Sequence, residues 1–187
     1  MRKLHVFNSI SLDGYFTDAH GDMSWAHQQQ DAEWEAFTSE NASGDGELVF
    51  GRVTYDLMAS YWPTPEASES MPVVAERMNS LQKIVFSRTL DQAAWANTEL
   101  IKRDPASAIQ AKKQESGPDM VIMGSGTIVS QLTAAQLIDE YQLVVNPIVL
   151  GAGRTLFEGV SDKLSLELTN SKTFGNGNVV LWYRPRR

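Results

Sequence analysis

The sequence predicts an α/β fold with a mixed, mostly parallel central sheet, helices on both of its faces and an antiparallel hairpin at the C-terminal end. Three observations predict it. Short apolar runs closed by turn residues alternate with helix-spaced apolar patterns along the chain, the signature of strands that run the same way and are joined by crossover helices. Near the C-terminus, Gly175-Asn176-Gly177-Asn178 separates two strand-like runs, and Gly and Asn tolerate the positive φ that hairpin turns require. Finally, 187 residues that are 42% hydrophobic and 21% charged suit one packed core, so positions 1–187 are expected to form a single domain.

The elements follow in order. Leu4 to Ile10 reads as a buried strand, ended by Ser11-Leu12-Asp13-Gly14, and a loop then runs to Trp25. Gln28 to about Asn41 carries Ala32, Trp34, Ala36 and Phe37 among charges and reads as a surface helix. Glu47 to Gly51 is a strand that enters a helix at Arg52, with Tyr55, Met58 and Ala59 on one face. Pro63 to Met71, rich in Pro, Ser and Glu and without periodicity, reads as an exposed loop, and Val73 to Leu81 as a short helix. Lys83 to Ser87 and Glu99 to Ile101 are strands. Asp104 is placed to cap a helix that opens with Pro105 and ends near Gly117-Pro118. Met120 to Met123 is a strand feeding Gly124-Ser125-Gly126-Thr127 and a helix to about Ala135. Glu140 to Val145 is a further strand, Asn146 to Gly153 a Pro- and Gly-punctuated connection, and Leu164 to Phe174 with Val179 to Tyr183 the hairpin.

Composition narrows the function. A formal net charge of −7 and a pI near 4.9 disfavour nucleic acid and anionic membrane, which need clustered cations. The basic end, Arg184 to Arg187, reads as a solvated tail. With no cysteine and 3 scattered histidines no metal role is expected. The N-terminal apolar run is too short for a signal peptide and no later run approaches a membrane span, which makes the cytoplasm the expected location.

In open α/β sheets ligands collect at the carboxyl ends of the strands, where helix N-termini present unpaired N–H groups. Three such ends carry suitable residues: Gly51-Arg52-Val53-Thr54, Ser87-Arg88 and Gly124-Ser125-Gly126-Thr127. Glycines in the last would let a pyrophosphate approach the backbone, though a strand-to-helix turn that needs glycine for geometry and Ser125 or Thr127 for capping reads equally well. It has neither the Lys of a P-loop nor the third glycine of the usual dinucleotide fingerprint. Arg52 and Arg88 together, with the hydroxyls of Thr54 and Ser87, would favour NADPH over NADH, whereas each arginine alone reads as a solvated surface charge. Asp13 suits either a substrate-holding carboxylate or a turn carboxylate that accepts backbone N–H groups. Trp25 is a pocket wall or a loop anchor. Asp31 and Glu33 open a helix, where anions suit the dipole whether or not they serve catalysis.

In this order and spacing, Ser11-Leu12-Asp13-Gly14, Gly51-Arg52-Val53-Thr54-Tyr55, Ser87-Arg88, Val121-Ile122-Met123-Gly124-Ser125-Gly126, Leu137-Ile138-Asp139-Glu140, Pro147-Ile148-Val149-Leu150-Gly151-Ala152-Gly153 and Leu156-Phe157 resemble the dihydrofolate-reductase-like superfamily. Within it they are similar to the reductase domain of riboflavin biosynthesis in its standalone bacterial form. The resemblance spans nearly the whole chain and implies a dihydrofolate-reductase-like three-layer fold. It implies an NADPH site at Gly51, Arg52, Val53, Thr54, Ser87, Arg88, Gly124, Ser125, Gly126, Thr127 and Ile128, a substrate pocket near Asp13, Trp25, Pro147, Ile148 and Val149, and a homodimer. Two departures stand out. True dihydrofolate reductases carry a Pro-Trp pair and then an acid that binds the pterin; here Trp25 follows Ser24, and Asp31 stands in the region of that acid. No deaminase segment with zinc ligands comes before the domain, so a bifunctional riboflavin enzyme is not expected.

The reaction these readings imply is hydride transfer from NADPH to a polarised C=N or C=O of a small pteridine- or pyrimidine-like substrate, with Asp13 and Asp31 as candidate catalytic carboxylates. The rival is a non-catalytic dimer that binds a nucleotide or pteridine-like ligand, since fold does not fix function.

Overall fold

The computed structural model describes residues 1–28, 31–42 and 44–186. Its centre is an eight-stranded sheet of β1 (Leu4–Ser11), β3 (Glu47–Gly51), β4 (Lys83–Phe86), β5 (Thr98–Ile101), β6 (Met120–Met123), β7 (Glu140–Asn146), β9 (Leu166–Thr173) and β10 (Val179–Pro185). The strand order is β5-β4-β3-β6-β1-β7-β10-β9. Neighbours from β5 to β7 run parallel, and β10 joins both β7 and β9 antiparallel. A separate ribbon pairs β2 (Tyr15–Thr17) with β8 (Arg154–Thr155).

Side-chain alternation across the parallel pairs assigns the two faces. Val49, Ile122, Val6 and Tyr141 follow one another in register and bury together with Ile128, Val129, Ile109 and Ala108, so α5 (Pro105–Gln114) and α6 (Gly126–Ala134) cover that face. The opposite face carries Leu48, Phe50 and Val85 under Tyr55 and Met78, and Val144 and Val180 under Trp34. It is covered by α1 (Ala32–Ala42), α2 (Arg52–Tyr61) and α4 (Pro72–Ser80). The chain after β6 therefore leaves to one face and the chains after β1 and β3 reach helices on the other. That reversal opens a crevice at the carboxyl ends of the strands around β6.

Three expectations need correction. Pro63 to Met71 is not a loop throughout, because α3 (Pro65–Ser70) forms there. Thr64 accepts the Ala67 N–H at 3.2 Å, Pro65 fills the first helical turn, where it needs no donor, and Ala67 is fully buried. Local composition hid a capped turn that tertiary packing holds. The helix expected from Gln28 begins at Ala32; part of that stretch, positions 29 and 30, lies outside the described residues, and Asp31 caps the helix by accepting the Trp34 N–H at 2.8 Å. The loop from Gly14 to Trp25 contains β2 and a single 3-10 turn, Ser24–His27.

Lys83 shows how the helical layer is tied down. Its buried ammonium donates to the carbonyls of Met78, Asn79 and Leu81 at 2.9, 3.2 and 2.6 Å, satisfying the C-terminal end of α4, and lies over the Trp95 ring. Burial pulls its pKa down to about 8. Among the described residues no helix is long and apolar enough to cross a membrane.

Candidate functional site

The crevice is framed by the starts of α2 and α6, and two hydrogen bonds clasp them together. The Ser125 N–H donates to Thr54 Oγ1 at 3.0 Å, and the Gly51 N–H donates to Ser125 Oγ at 2.9 Å. The Thr54 hydroxyl is thus spent on the Ser125 backbone and the Ser125 hydroxyl on the Gly51 backbone, and neither caps its own helix. Neither N-cap residue, Gly51 for α2 nor Ser125 for α6, makes a side-chain cap bond. The Arg52 N–H continues the ladder to β4, whereas the N–H groups of Val53, Gly126 and Thr127 meet no acceptor among the described residues. Uncapped first turns carry partial positive charge, so two helix starts bound side by side make a concave surface that favours an anion.

The glycines have a sharper explanation than close approach of a phosphate. Gly124 adopts φ +61, and a Cβ there would lie 2.9 Å from Thr54 Cγ2, so the clasp requires glycine. Gly126 lies against Phe16, whose ring would be 2.4 Å from a Cβ at that position. Ser125 itself takes a left-handed conformation at φ 56, a strained backbone for a non-glycine residue. Both glycines therefore serve contacts within the protein, which is the turn-geometry alternative. Ile128 closes the turn by donating its N–H to the Ser125 carbonyl at 2.8 Å and packs on Gly51.

Asp13 lies in the loop after β1, at the carboxyl end of the sheet, and its carboxylate is fully engaged. It accepts the Ser11 hydroxyl at 2.6 Å and the Leu150 and Gly151 N–H groups at 3.1 and 2.8 Å. The Ser11 hydroxyl first, then those amides, hold its pKa down to about 2. It is ionised at neutral pH and works as a tie between the loops after β1 and β7. Asp31 half-emerges at the start of α1, one oxygen on the Trp34 N–H and the other facing Gly175 of the hairpin turn. Trp25 is buried, its indole N–H on the Asp22 carbonyl at 3.1 Å, which anchors its loop. In the loop after β7, Pro147 packs at Gly177, Ile148 accepts the Leu12 N–H at 2.8 Å, and Val149 is exposed.

The cations are placed unevenly. Arg52, at the start of α2, pairs with Asp56 at 3.1 Å in an exposed bridge one turn on. Arg88 is exposed just after β4, and Ser87 accepts the N–H groups of Thr89 and Leu90 at 3.2 and 3.0 Å, which shapes the turn that presents it. Sequence reasoning missed Arg154. Its guanidinium donates to Thr127 Oγ1 at 3.0 Å, lies 5.5 Å from the Phe16 ring and borders a groove of about 210 Å³ at the start of α6. Phe16 and Gly153 were also missed; a Cβ on Gly153 would be 2.0 Å from the Thr17 carbonyl, where β2 meets β8. The available signal was the Gly151-Ala152-Gly153-Arg154 run, whose partner only the fold reveals. Among the described residues no His, Cys, Asp and Glu group could hold a metal.

With this geometry in place, comparison with known families is decisive: the model of the RibD C-terminal domain matches residues 2–180. The chain belongs to that family. It is 26% identical over 186 residues to the uncharacterised protein YyaP of Bacillus subtilis, covering 97% of this chain and 94% of YyaP. A crystal structure from Shewanella sp. PV-4, of a protein provisionally named for riboflavin biosynthesis, superposes with a TM-score of 0.71 at 25% identity over 99% of both chains. Dihydrofolate reductase of Enterococcus faecalis, solved with NADP(H), superposes with a TM-score of 0.65 at 14% identity over 99% of this chain and 97% of that one, a likeness of fold alone. The RibD C-terminal member described here thus has the dihydrofolate-reductase-like α/β fold.

Proposed function

We propose that this RibD C-terminal protein is an NADPH-dependent reductase that delivers a hydride to a small pteridine- or pyrimidine-like heterocycle or carbonyl compound. The observation that carries the reading is the clasp: Thr54 and Ser125 hold two helix starts together and leave their first-turn amides for an anion. In a chain of net charge −7, a dinucleotide also needs local cations, and Arg52, Arg88 and Arg154 ring that end of the sheet. These residues fit a phosphorylated dinucleotide: amides for the pyrophosphate, and guanidinium groups for the extra phosphate. When bound, the reduced nicotinamide supplies the hydride.

The chain's share is placement. Gly51 to Thr54 and Gly124 to Ile128 fix the phosphates, and the segment that carries Phe16 and Trp25 covers the crevice and excludes water. Asp13, held ionised, positions the loop from Pro147 to Gly151 and is not the proton source. Asp31, at the rim beside the hairpin turn, is the carboxylate left to contact substrate.

The test is a titration with NADPH and with NADH, followed by loss of reduced-nicotinamide absorbance in the presence of dihydrofolate, ribitylaminopyrimidine and simple carbonyl substrates. Tighter binding of NADPH and turnover of at least one substrate are expected. No affinity for either nucleotide overturns the proposal. Tight binding without oxidation of NADPH by any compound favours the rival, a non-catalytic nucleotide-binding protein.

A further inference from the structure

Three buried asparagines, Asn8, Asn146 and Asn178, lie at the carboxyl end of the sheet, each no more than 2% exposed. Between them they hold side-chain amide atoms with no hydrogen-bond partner. Leaving a buried donor or acceptor unmade is costly, so each such atom in a folded protein needs a reason. Asn146 has part of one: its Nδ2 donates to the carbonyls of Ile10 and Val144 at 3.2 Å each and ties β1 to β7. Asn178 ends the hairpin turn with its backbone N–H on Asn176 Oδ1 at 3.0 Å, while its side-chain Nδ2 and Oδ1 are unpartnered. Asn8, in the middle of β1 and away from any turn, likewise has both Nδ2 and Oδ1 unpartnered.

By strand alternation Asn8 shares a face with Val6 and Ile10, where Phe16 and Met23 also pack. An apolar residue there would bury more favourably. Its position along the sheet explains the exception. β1 and β6 pair only as far as Phe7 and Met123, while β1 continues to Ser11 against β7 alone. Asn8 is therefore the first residue past the point where the sheet splits, level with Gly124 and between connections that leave for opposite faces. Gly126, at the start of α6, is two residues farther along the chain from Gly124.

A carboxamide with both edges unmade calls for a group that offers a donor and an acceptor side by side. The nicotinamide carboxamide is such a group. Resting on the reductase reading above, we infer that Asn8 is a positioning residue: its side-chain amide pairs edge to edge with the ring carboxamide and sets which face of the ring meets substrate. Adenine also presents a paired donor and acceptor, so the experiment must separate the two ends of the dinucleotide.

That experiment measures NADPH binding by reduced-nicotinamide fluorescence, and 2′-phospho-ADP-ribose binding by calorimetry, for the wild type and Asn8→Leu. Asn8→Leu should weaken NADPH about tenfold or more while 2′-phospho-ADP-ribose changes less than about twofold. On the unaltered protein, the reduced 3-acetylpyridine analogue, which keeps the acceptor and loses the donor, should bind several-fold more weakly than NADPH. Asn8→Leu should add little to that loss, and this arm stands even where the variant folds poorly. Equal NADPH affinity in wild type and Asn8→Leu, equal loss of both ligands, or an analogue bound as tightly as NADPH overturns the assignment. A wild type that binds neither NADPH nor 2′-phospho-ADP-ribose removes the reductase reading itself, whereas failure of the Asn8 arms alone leaves that reading intact.

Discussion

The two ends of the parallel strands are built on opposite terms. At the amino ends, Arg2 pairs with Glu47 at 2.5 Å and Lys112 with Glu99 at 2.8 Å and Glu47 at 3.9 Å. Lys113 pairs with Asp139, which also accepts the Leu4 N–H at 2.8 Å. Charges there are matched and joined to backbone. At the carboxyl ends, helix starts go uncapped, Ser125 is left-handed and Asn8 has no partner. One end holds the sheet together, and the other forgoes stability to leave donors and acceptors for a ligand.

The contrast can be broken most severely at the matched end. Glu47→Leu strands Arg2 and part of the Lys112 environment as buried charge, and should cost about 3–5 kcal/mol in urea unfolding while the nucleotide affinity of the folded protein is unchanged. Loss of affinity at full stability would erase the distinction between the ends. The clasp sharpens it from the other side. Thr54→Val leaves the Ser125 N–H without its acceptor, so about 1–3 kcal/mol of stability is expected to go. NADPH affinity should fall with it, because the two helix starts separate; titration of Thr54→Val at a temperature where it stays folded checks this.

Asp13 joins the two regimes, since it lies at the ligand end but is fully bonded. Its pKa is lowered from 3.8 to about 2, so its tie is complete above 3.8 and is lost as pH falls through about 2. Acid unfolding should therefore show wild type ahead of Asp13→Asn near neutral pH, with the gap closing over that window and NADPH affinity little altered. A gap that widens on acidification would contradict the assigned bonds. The smallest effect belongs to Asp56→Ala, which removes an exposed i,i+4 partner from Arg52. Thermal melts should move by no more than about 0.5 kcal/mol, while the unpaired guanidinium modestly strengthens nucleotide binding at low salt.

Much of this was legible in the residues because period and punctuation act locally. The strands from Leu4, Glu47, Lys83 and Met120 are apolar runs ended by turn formers, and the Gly175 to Asn178 turn announced its hairpin. The α3 helix was not legible, because Pro, Ser and Glu suit a loop until Thr64 caps them and Ala67 finds a buried place. The β2–β8 ribbon was too short to have a period, and its partners are more than a hundred positions apart. The turn Gly124 to Thr127 was placed correctly, yet the cause of its glycines lay in Thr54 and Phe16, contacts that spacing does not encode. Asn8 was hidden inside a run read as a buried strand, although its parity with Val6 and Ile10 marked it as a polar residue on an apolar face.

The segment carrying Phe16 and Thr17 fits only because Gly126 and Gly153 yield room on two separate loops. A transplant of that segment from a homologue with a different residue at position 16 would leave a void over Gly126. A transplant of either glycine loop with a larger residue would evict the segment. Chimeras within the family should therefore be viable only when all three pieces travel as a set, and recombination breakpoints should avoid separating them.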